Sequence, residues 1–242
     1  MASIVIKNWD NKNWLSSRHY IKNLNDFILK QTRLDKFSNI LDIGCGRGKI
    51  IGNLKSRLHL KKKPIGIDLV SHKDKDKRIN FKKIDALPFF SKNKIKFDLI
   101  LIKQTIHLLS VKNIKKLISY CKKNLKSKGV ILIFTIDPYK NEIPTFALMN
   151  KKLIKSLHRD KMIAKILLKC LPKINLKRFV YKVEVSQKKY VEMIRNRFIS
   201  ILVSMNEKEI NNGIQEIKTK YARKLKFKDN LFCLIYVKRI KR

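Results

Sequence analysis

The sequence predicts an α/β fold in which a doubly wound, mostly parallel sheet carries a helical insertion late in the chain. Three observations lead there. Short apolar segments alternate with amphipathic ones from residue 38 to residue 135, which is how a parallel sheet covered on both faces reads. The first apolar segment runs straight into glycines at alternate positions. Beyond residue 137 the alternation gives way to helical periods and two further strands. With 242 residues, 44% of them hydrophobic, the chain can bury a full core in one domain. No internal repeat, Gly/Ser linker or low-complexity block divides it.

The elements follow in order. Ser16 or Ser17 caps a helix over 16–31, with Ile21, Leu24, Phe27 and Ile28 in one stripe. Ile40 to Ile43 is a short buried strand, and Ile50, Ile51, Leu54 and Leu58 lie on one face of the next helix. Pro64 to Asp68 is a second strand ending in an acid, and Ile79 to Ile84 a third, followed by Asp85. Phe97 to Ile102 is a fourth. A helix from Val111 to Leu125 buries Ile114, Leu117, Ile118 and Cys121, and Gly129 turns the chain into a fifth strand, Val130 to Thr135. Helices are expected at about 145–157 and 160–171, the second stopping before Pro172. Phe179 to Val185 alternates like a strand. Tyr190 to Leu202 and Ile210 to Leu225 read as two more helices, and Phe232 to Ile240 as the last strand. Right-handed crossovers would line the strand C-termini along one edge, where such folds bind ligands.

Lys and Arg outnumber Asp and Glu 58 to 18, a net charge of +40. That sign suits a nucleic acid or another anionic partner. Only 12 of the 58 are Arg, however, the residue whose planar fork recognises phosphates and bases. The lysines are spread evenly, and abundant Lys, Asn and Ile suit an AT-rich coding background. A solvated Lys-rich surface is the simpler reading, and a nucleic-acid partner stays open. Lys61-Lys62-Lys63 and the alternating Lys73-Asp74-Lys75-Asp76-Lys77-Arg78 read as exposed surface. No apolar run approaches the ~20 residues of a membrane span, and none near Met1 resembles a signal peptide. Cys45, Cys121, Cys170 and Cys233 are too dispersed for a disulfide framework or a metal site. The expectation is a reduced, cytoplasmic protein with no metal and no membrane span.

The sharpest motif is Leu41-Asp42-Ile43-Gly44-Cys45-Gly46-Arg47-Gly48-Lys49. Its spacing is G-x-G-x-G, not the G-x-G-x-x-G of dinucleotide sites, and no Lys-Ser/Thr pair completes a phosphate loop. An acid two residues before the first glycine suits a cationic ligand group better than a pyrophosphate. With Asp68 ending the second strand, Asp85 after the third, and Phe97-Asp98-Leu99-Ile100 leading to Lys103-Gln104-Thr105-Ile106-His107, residues 38–135 resemble the class I S-adenosylmethionine-dependent methyltransferases. The loop at His107 and the late helices look most like the small-molecule, type 11-like branch.

The resemblance implies a Rossmann-like seven-stranded sheet with a helical lid insertion. It implies one domain over 1–242: an N-terminal helical cap at 1–37, a cofactor-binding core at 38–135, substrate or lid helices with the sixth strand at 138–230, and the last strand at 231–240. It implies S-adenosylmethionine as cofactor and S-adenosylhomocysteine as product. Asp42 and the backbone at Gly44, Cys45 and Gly46 would hold the methionine part. Asp68 would accept from both ribose hydroxyls, and Leu69 would pack on the adenine. Asp85 would accept from the adenine amino group, with Ala86 lending an N–H. Lys103, by its backbone carbonyl, and Gln104 would lie near the cofactor's amino group. Asp42 also fits a plain helix cap, Gly46 a simple turn, and Asp68 an ordinary strand-end acid.

His107, just past the fourth strand, is the candidate base or acceptor-positioning group, beside the plainer reading of a packed histidine. Trp14, His19 and Tyr20, with Trp9, are candidates to close over the cofactor and wall the pocket. Glu142 and Phe146 follow the fifth strand at the ligand edge, and Arg195 and Arg197 sit on a candidate lid helix, where they suit an acidic acceptor. The expected activity is methyl transfer to a small molecule by in-line displacement. The alternative is an RNA or protein substrate gripped by the basic surface. Against a nucleic-acid base as acceptor, Lys103-Gln104-Thr105-Ile106 stands where amino-directed nucleic-acid enzymes carry an Asn/Asp-Pro-Pro-Tyr/Phe motif.

Overall fold

The computed structural model describes residues 13–239; Trp9 lies outside them. Seven strands form one sheet: β1 (Ile40–Ile43), β2 (Ile65–Asp68), β3 (Asn80–Lys83), β4 (Phe97–Lys103), β5 (Leu125–Ile136), β6 (Asn175–Ser186) and β7 (Lys224–Val237). Their order is β3-β2-β1-β4-β5-β7-β6. The first five are parallel, and β7 runs antiparallel between β5 and β6. Among the described residues the helices are α1 (Arg18–Gln31), α2 (Lys49–Arg57), α3 (Ala86–Lys92), α4 (Val111–Asn124), α5 (Ala147–Cys170), α6 (Gln187–Arg195) and α7 (Glu207–Lys220).

The two-residue period of the strands sorts their side chains onto two cores. Ile100 and Ile102 of β4 with Ile131 and Ile133 of β5 face α4 and the C-terminal part of α5, through Ile114, Leu117, Ile163 and Leu167. Leu99 and Leu101 with Leu132 and Phe134 face α1 and α2, through Tyr20, Leu24, Ile28, Ile51 and Leu54. Both faces are therefore covered, as the continuous apolar strands require. Ser17 caps α1 by accepting from the Tyr20 N–H, and Ser110 caps α4 in the same way.

Several elements differ from the sequence expectation; β5 starts at Leu125 and not Val130, and β6 spans Asn175–Ser186. The helices expected at 145–157 and 160–171 are one helix, α5, of 24 residues. Met149, Leu153, Ile163 and Leu167 share its buried stripe, and Asp160 is buried among them. That acid interrupts the apolar period without ending the helix. The helix expected over 190–202 stops at Arg195, and Ser200–Leu202 is a separate 3-10 turn. Leu225, read as the end of a helix, lies in β7, which starts at Lys224 rather than Phe232. A short helix not expected, α3, follows Asp85.

The long β6–β7 ribbon matters most for function. Leu231 pairs with Ile136 at the end of β5 and with Phe179 of β6. Val180–Ser186 and Lys224–Asn230 continue the pairing beyond that point. At about 3.3 Å per residue, the ribbon reaches roughly 20 Å past the C-terminal edge of the parallel strands. It packs on a third core made by Phe146, Met149, Tyr190, Ile194, Phe198, Ile210, Ile214 and Phe227.

Candidate active site

The glycine loop joins β1 to α2. Gly44 has φ +72°, and a Cβ there would fall 2.0 Å from Thr105 Oγ1 at the end of β4. Only glycine serves both demands. The loop's N–H groups are mostly spent inside the fold. Those of Gly44 and Cys45 donate to the Ile67 carbonyl, and that of Gly46 donates to Asp68 Oδ2 at 2.8 Å. The carbonyls of Cys45, Arg47 and Gly48 also accept within the fold, from the Gly48, Asp76 and Gly52 N–H groups. With its donors spent, the loop does not suit a pyrophosphate, which needs free N–H groups.

Asp42 is buried beneath this loop. Burial raises its carboxyl to about 7; Lys103 pulls it down and Asp68 pushes it up. A cavity of about 50 Å³ lies here, lined by Leu15, Ser16, Ile21, Asp42, the loop, Lys49, Ile50 and Lys103. The first turn of α2 adds N–H groups that a helix leaves unused. Cationic and anionic ends thus meet complementary groups a few residues apart, which fits the zwitterionic amino-acid end of S-adenosylmethionine.

Raising a folded-state carboxyl from 3.8 to about 7 carries a sign. The buried ionised form is disfavoured, so Asp42 costs stability increasingly as pH rises from 4 to 7, and the cost then levels off. We expect Asp42→Asn to gain thermal stability relative to the native chain between pH 5 and pH 7.5. A Tm difference that stays constant over that range contradicts this origin.

Along the same edge, Asp68 accepts from the Gly46 and Val70 N–H groups, so each oxygen keeps accepting capacity. Leu69 beside it is exposed. Asp85 caps α3 by accepting from the Leu87 N–H at 2.8 Å, and Ala86 is the first residue of that helix. Asp85 is thus a helix cap in this structure, with its second carboxylate oxygen beyond that bond. Cys45 packs inside the loop, 2.8 Å from where a Gly66 Cβ would stand. Cys121 and Cys233 are buried and Cys170 half-buried.

Lys103 is the residue whose side chain the sequence undervalues. Expected to act through its carbonyl, which here accepts from Thr105 Oγ1 at 3.0 Å, it also buries its ammonium at the strand end. Lys103 Nζ donates to Gln104 Oε1 at 2.8 Å and lies 5.4 Å from the Tyr20 ring centroid. Its charge lowers both Asp42 and Asp229. Gln104 adopts φ +52° to make this turn.

Asp229, on the overhanging ribbon, belongs to no motif visible in the sequence. Burial raises its carboxyl, while the Trp14 indole, Lys103 and Tyr20 pull it down. Trp14 Nε1 donates to Asp229 Oδ2 at 2.9 Å, and its ring sits edge-on to Phe198 and Phe227, each at 5.3 Å. The turn at Trp14–Ser16 is thereby pinned to the ribbon and the third core. Tyr20 is fully buried beside them, its hydroxyl in the field of Asp229 but outside hydrogen-bond geometry. An acid that follows a lysine in the sequence, Lys228-Asp229, reads as surface; only the pairing of β6 with β7 turns it inward.

The other candidates scatter. His107 is half-buried in a 3-10 turn (Ile106–Leu108); burial, then Arg159 of α5, lowers its imidazole to about 4. His19 is exposed on α1. Glu142 accepts from the Lys228 N–H at 3.1 Å, tying the loop after β5 to the ribbon. Phe146 is buried in the third core against Gly213. Arg195 is exposed at the end of α6, whereas Arg197 donates to the Leu202 and Met205 carbonyls and to Glu207. That bonding spends Arg197 on the turn after α6.

Comparison with known proteins agrees with this geometry. Residues 40–129 match the family model described as a methyltransferase domain. No curated protein sequence matches the chain. Among solved structures, a putative methyltransferase from an antibiotic biosynthesis pathway of Anabaena variabilis is 14% identical, with a TM-score of 0.62 over 89% of this chain and 96% of that one. A SAM-dependent methyltransferase from Archaeoglobus fulgidus is 17% identical, with a TM-score of 0.53 over 92% and 95%. The Haemonchus contortus phosphoethanolamine N-methyltransferase 2, solved with phosphomonomethylethanolamine and S-adenosylhomocysteine, is 17% identical with a TM-score of 0.51. It covers 98% of this chain, which spans 61% of that one. No helix among the described residues is long and apolar enough to cross a membrane.

Proposed function

We propose that this chain, a class I S-adenosylmethionine-dependent methyltransferase, transfers its methyl group to a small-molecule acceptor held under its helical layer. The cofactor supplies a methyl group already made electrophilic by its sulfonium. The chain's own residues bind and orient. Asp42 and the loop carbonyls take the cationic end, and Lys103 with the first turn of α2 takes the carboxylate. Asp68 takes the ribose hydroxyls, Leu69 covers the adenine, and Asp85 with Ala86 contacts its polar edge. Gln104 holds the Lys103 ammonium in place.

The observation that supports the acceptor reading is the Trp14–Asp229 bond, which ties the turn at Trp14 to the β6–β7 ribbon and the third core beside Lys103 and Tyr20. A cleft closed over by these elements would admit a small acceptor and exclude water, while a polymer needs an open groove. Here the helices α5, α6 and α7 act as a lid, and the small phospho-base bound by the Haemonchus contortus enzyme is an acceptor of the size meant. The net charge of +40 favours a second reading, an RNA or protein substrate gripped on the surface. Transfer of labelled methyl from S-adenosylmethionine to a low-molecular-mass metabolite pool, set beside total RNA and protein, separates them. Label confined to RNA or protein overturns the first reading.

His107 acts by position. An imidazole lowered to about 4 is neutral at pH 7 and too weak a base to drive deprotonation. We expect His107→Ala to lower turnover by about 10- to 100-fold, the cost of a misplaced acceptor, and to leave S-adenosylhomocysteine affinity within twofold. Full turnover in the variant removes the residue from the site.

A further inference from the structure

A groove of about 710 Å³ runs across the N-terminal ends of β1, β2, β3 and β4. Ile40, Ile65, Ile79 and Phe97 line it beside Lys62, Lys63, Lys73, Lys75 and Lys77. Charge here is not balanced locally. Asp74 is paired with Arg47, and Asp76 with Arg78. Asp98, at the start of β4, takes Lys126. None of the five groove lysines pairs with a carboxylate among the described residues; Lys63 Nζ donates to the Lys77 carbonyl, and Lys75 Nζ to Ser71 Oγ. Phe37 precedes the groove residues Ser38 and Asn39 and is 64% exposed, with Lys36 Nζ 5.3 Å from its ring centroid. The Lys61 N–H donates to the Lys36 carbonyl at 2.7 Å, which ties that aromatic loop to the Lys61–Lys63 turn.

We infer that this groove binds single-stranded nucleic acid. Lysines along a concave path neutralise successive phosphates, and an exposed ring offers a stacking platform for a base. A lipid surface suits a flat basic face with a protruding apolar edge, not a groove. The groove opens at the N-terminal ends of the strands and the glycine loop at their C-terminal ends, with the Asp76 N–H donating to the Arg47 carbonyl between them; a strand held in the groove is an anchor and not the methyl acceptor. The inference does not depend on the acceptor proposed above.

The test is fluorescence anisotropy with end-labelled oligouridylate and oligothymidylate over 50–200 mM KCl. Five phosphate contacts give a slope of log K against log [KCl] near −3.5, from about 0.7 per contact on single strands. Lys62→Gln/Lys73→Gln/Lys77→Gln should flatten it by about 2, and Phe37→Ala should weaken binding about tenfold. The same charge removed elsewhere, in Lys151→Gln/Lys155→Gln/Lys165→Gln on exposed positions of α5, should leave the slope unchanged. Equal affinity for both oligomers assigns the site to phosphate and base alone; preference for oligouridylate assigns it to RNA. Absence of binding at 50 mM KCl, or equal losses in the two triple variants, overturns the inference, the latter because net charge alone then explains the binding. S-adenosylhomocysteine binding by the groove variant checks that it is folded.

Discussion

Gly44→Ala should lower the melting temperature by about 4–16 °C and abolish measurable binding of S-adenosylhomocysteine. Two costs combine. An L residue held at φ +72° loses about 1–2 kcal/mol. The new methyl group also lands on the Thr105 side chain, which must move and give up its bond to the Lys103 carbonyl, a further ~1–2 kcal/mol. At about 2–4 °C per kcal/mol for a chain of this size, the shift is large. The loss of binding follows because Thr105 and Lys103 move together at the cofactor's edge. Adding Thr105→Ala should recover part of the stability, since it removes the two nearest atoms, Oγ1 and Cγ2, and keeps the 2.8 Å approach of Cβ and the backbone strain. A variant that melts within 2 °C of the native chain and binds normally contradicts the close approach of β1 and β4.

Asp68→Ala should weaken S-adenosylhomocysteine by roughly 100-fold or more, from two charge-assisted bonds to ribose at about 1.5–3 kcal/mol each. The same carboxylate also holds the Gly46 and Val70 N–H groups. The variant therefore also melts lower, by a few degrees, because the loop loses its tie to β2. Asp68→Asn, whose single amide oxygen can keep only one of those two N–H groups, should recover part of the stability and lose most of the affinity. Calorimetry and a melting curve on the two variants separate the roles. Unchanged affinity in both removes Asp68 from the ribose site.

The core of the fold was legible because its signals are local. Ile40 to Ile43 running into alternate glycines, and acids closing the second strand and following the third, each lie within a few residues of one another. The misread parts depend on distant pairing. Lys224-Leu225-Lys226-Phe227-Lys228-Asp229 alternates as a strand should, yet it becomes one only by pairing with β6, some forty residues upstream. Without that partner, Leu225 continues the apolar period of α7. Asp160 misled in the other sense, as a buried acid on a helix stripe that resembles a break. Phe146 was placed at the ligand edge from its position in the chain, but Gly213 on α7 leaves a hollow that receives its ring in the third core. Asp229 and the Lys103 ammonium carry no local signal for one reason: both are charged groups whose burial is decided by Trp14, Tyr20 and the ribbon.

One titration tests the central claim, that the loop at Asp42 receives the amino-acid end which S-adenosylmethionine and S-adenosylhomocysteine share. Purified chain is titrated with S-adenosylhomocysteine and, separately, with a dinucleotide and a nucleoside triphosphate, by calorimetry and by thermal shift. The account requires one site for S-adenosylhomocysteine and a rise in melting temperature of about 5–10 °C at a hundredfold excess over Kd. It requires weaker or no binding of the phosphate ligands at this cleft. A chain that ignores S-adenosylhomocysteine at millimolar concentration, or takes the dinucleotide in its place, contradicts it.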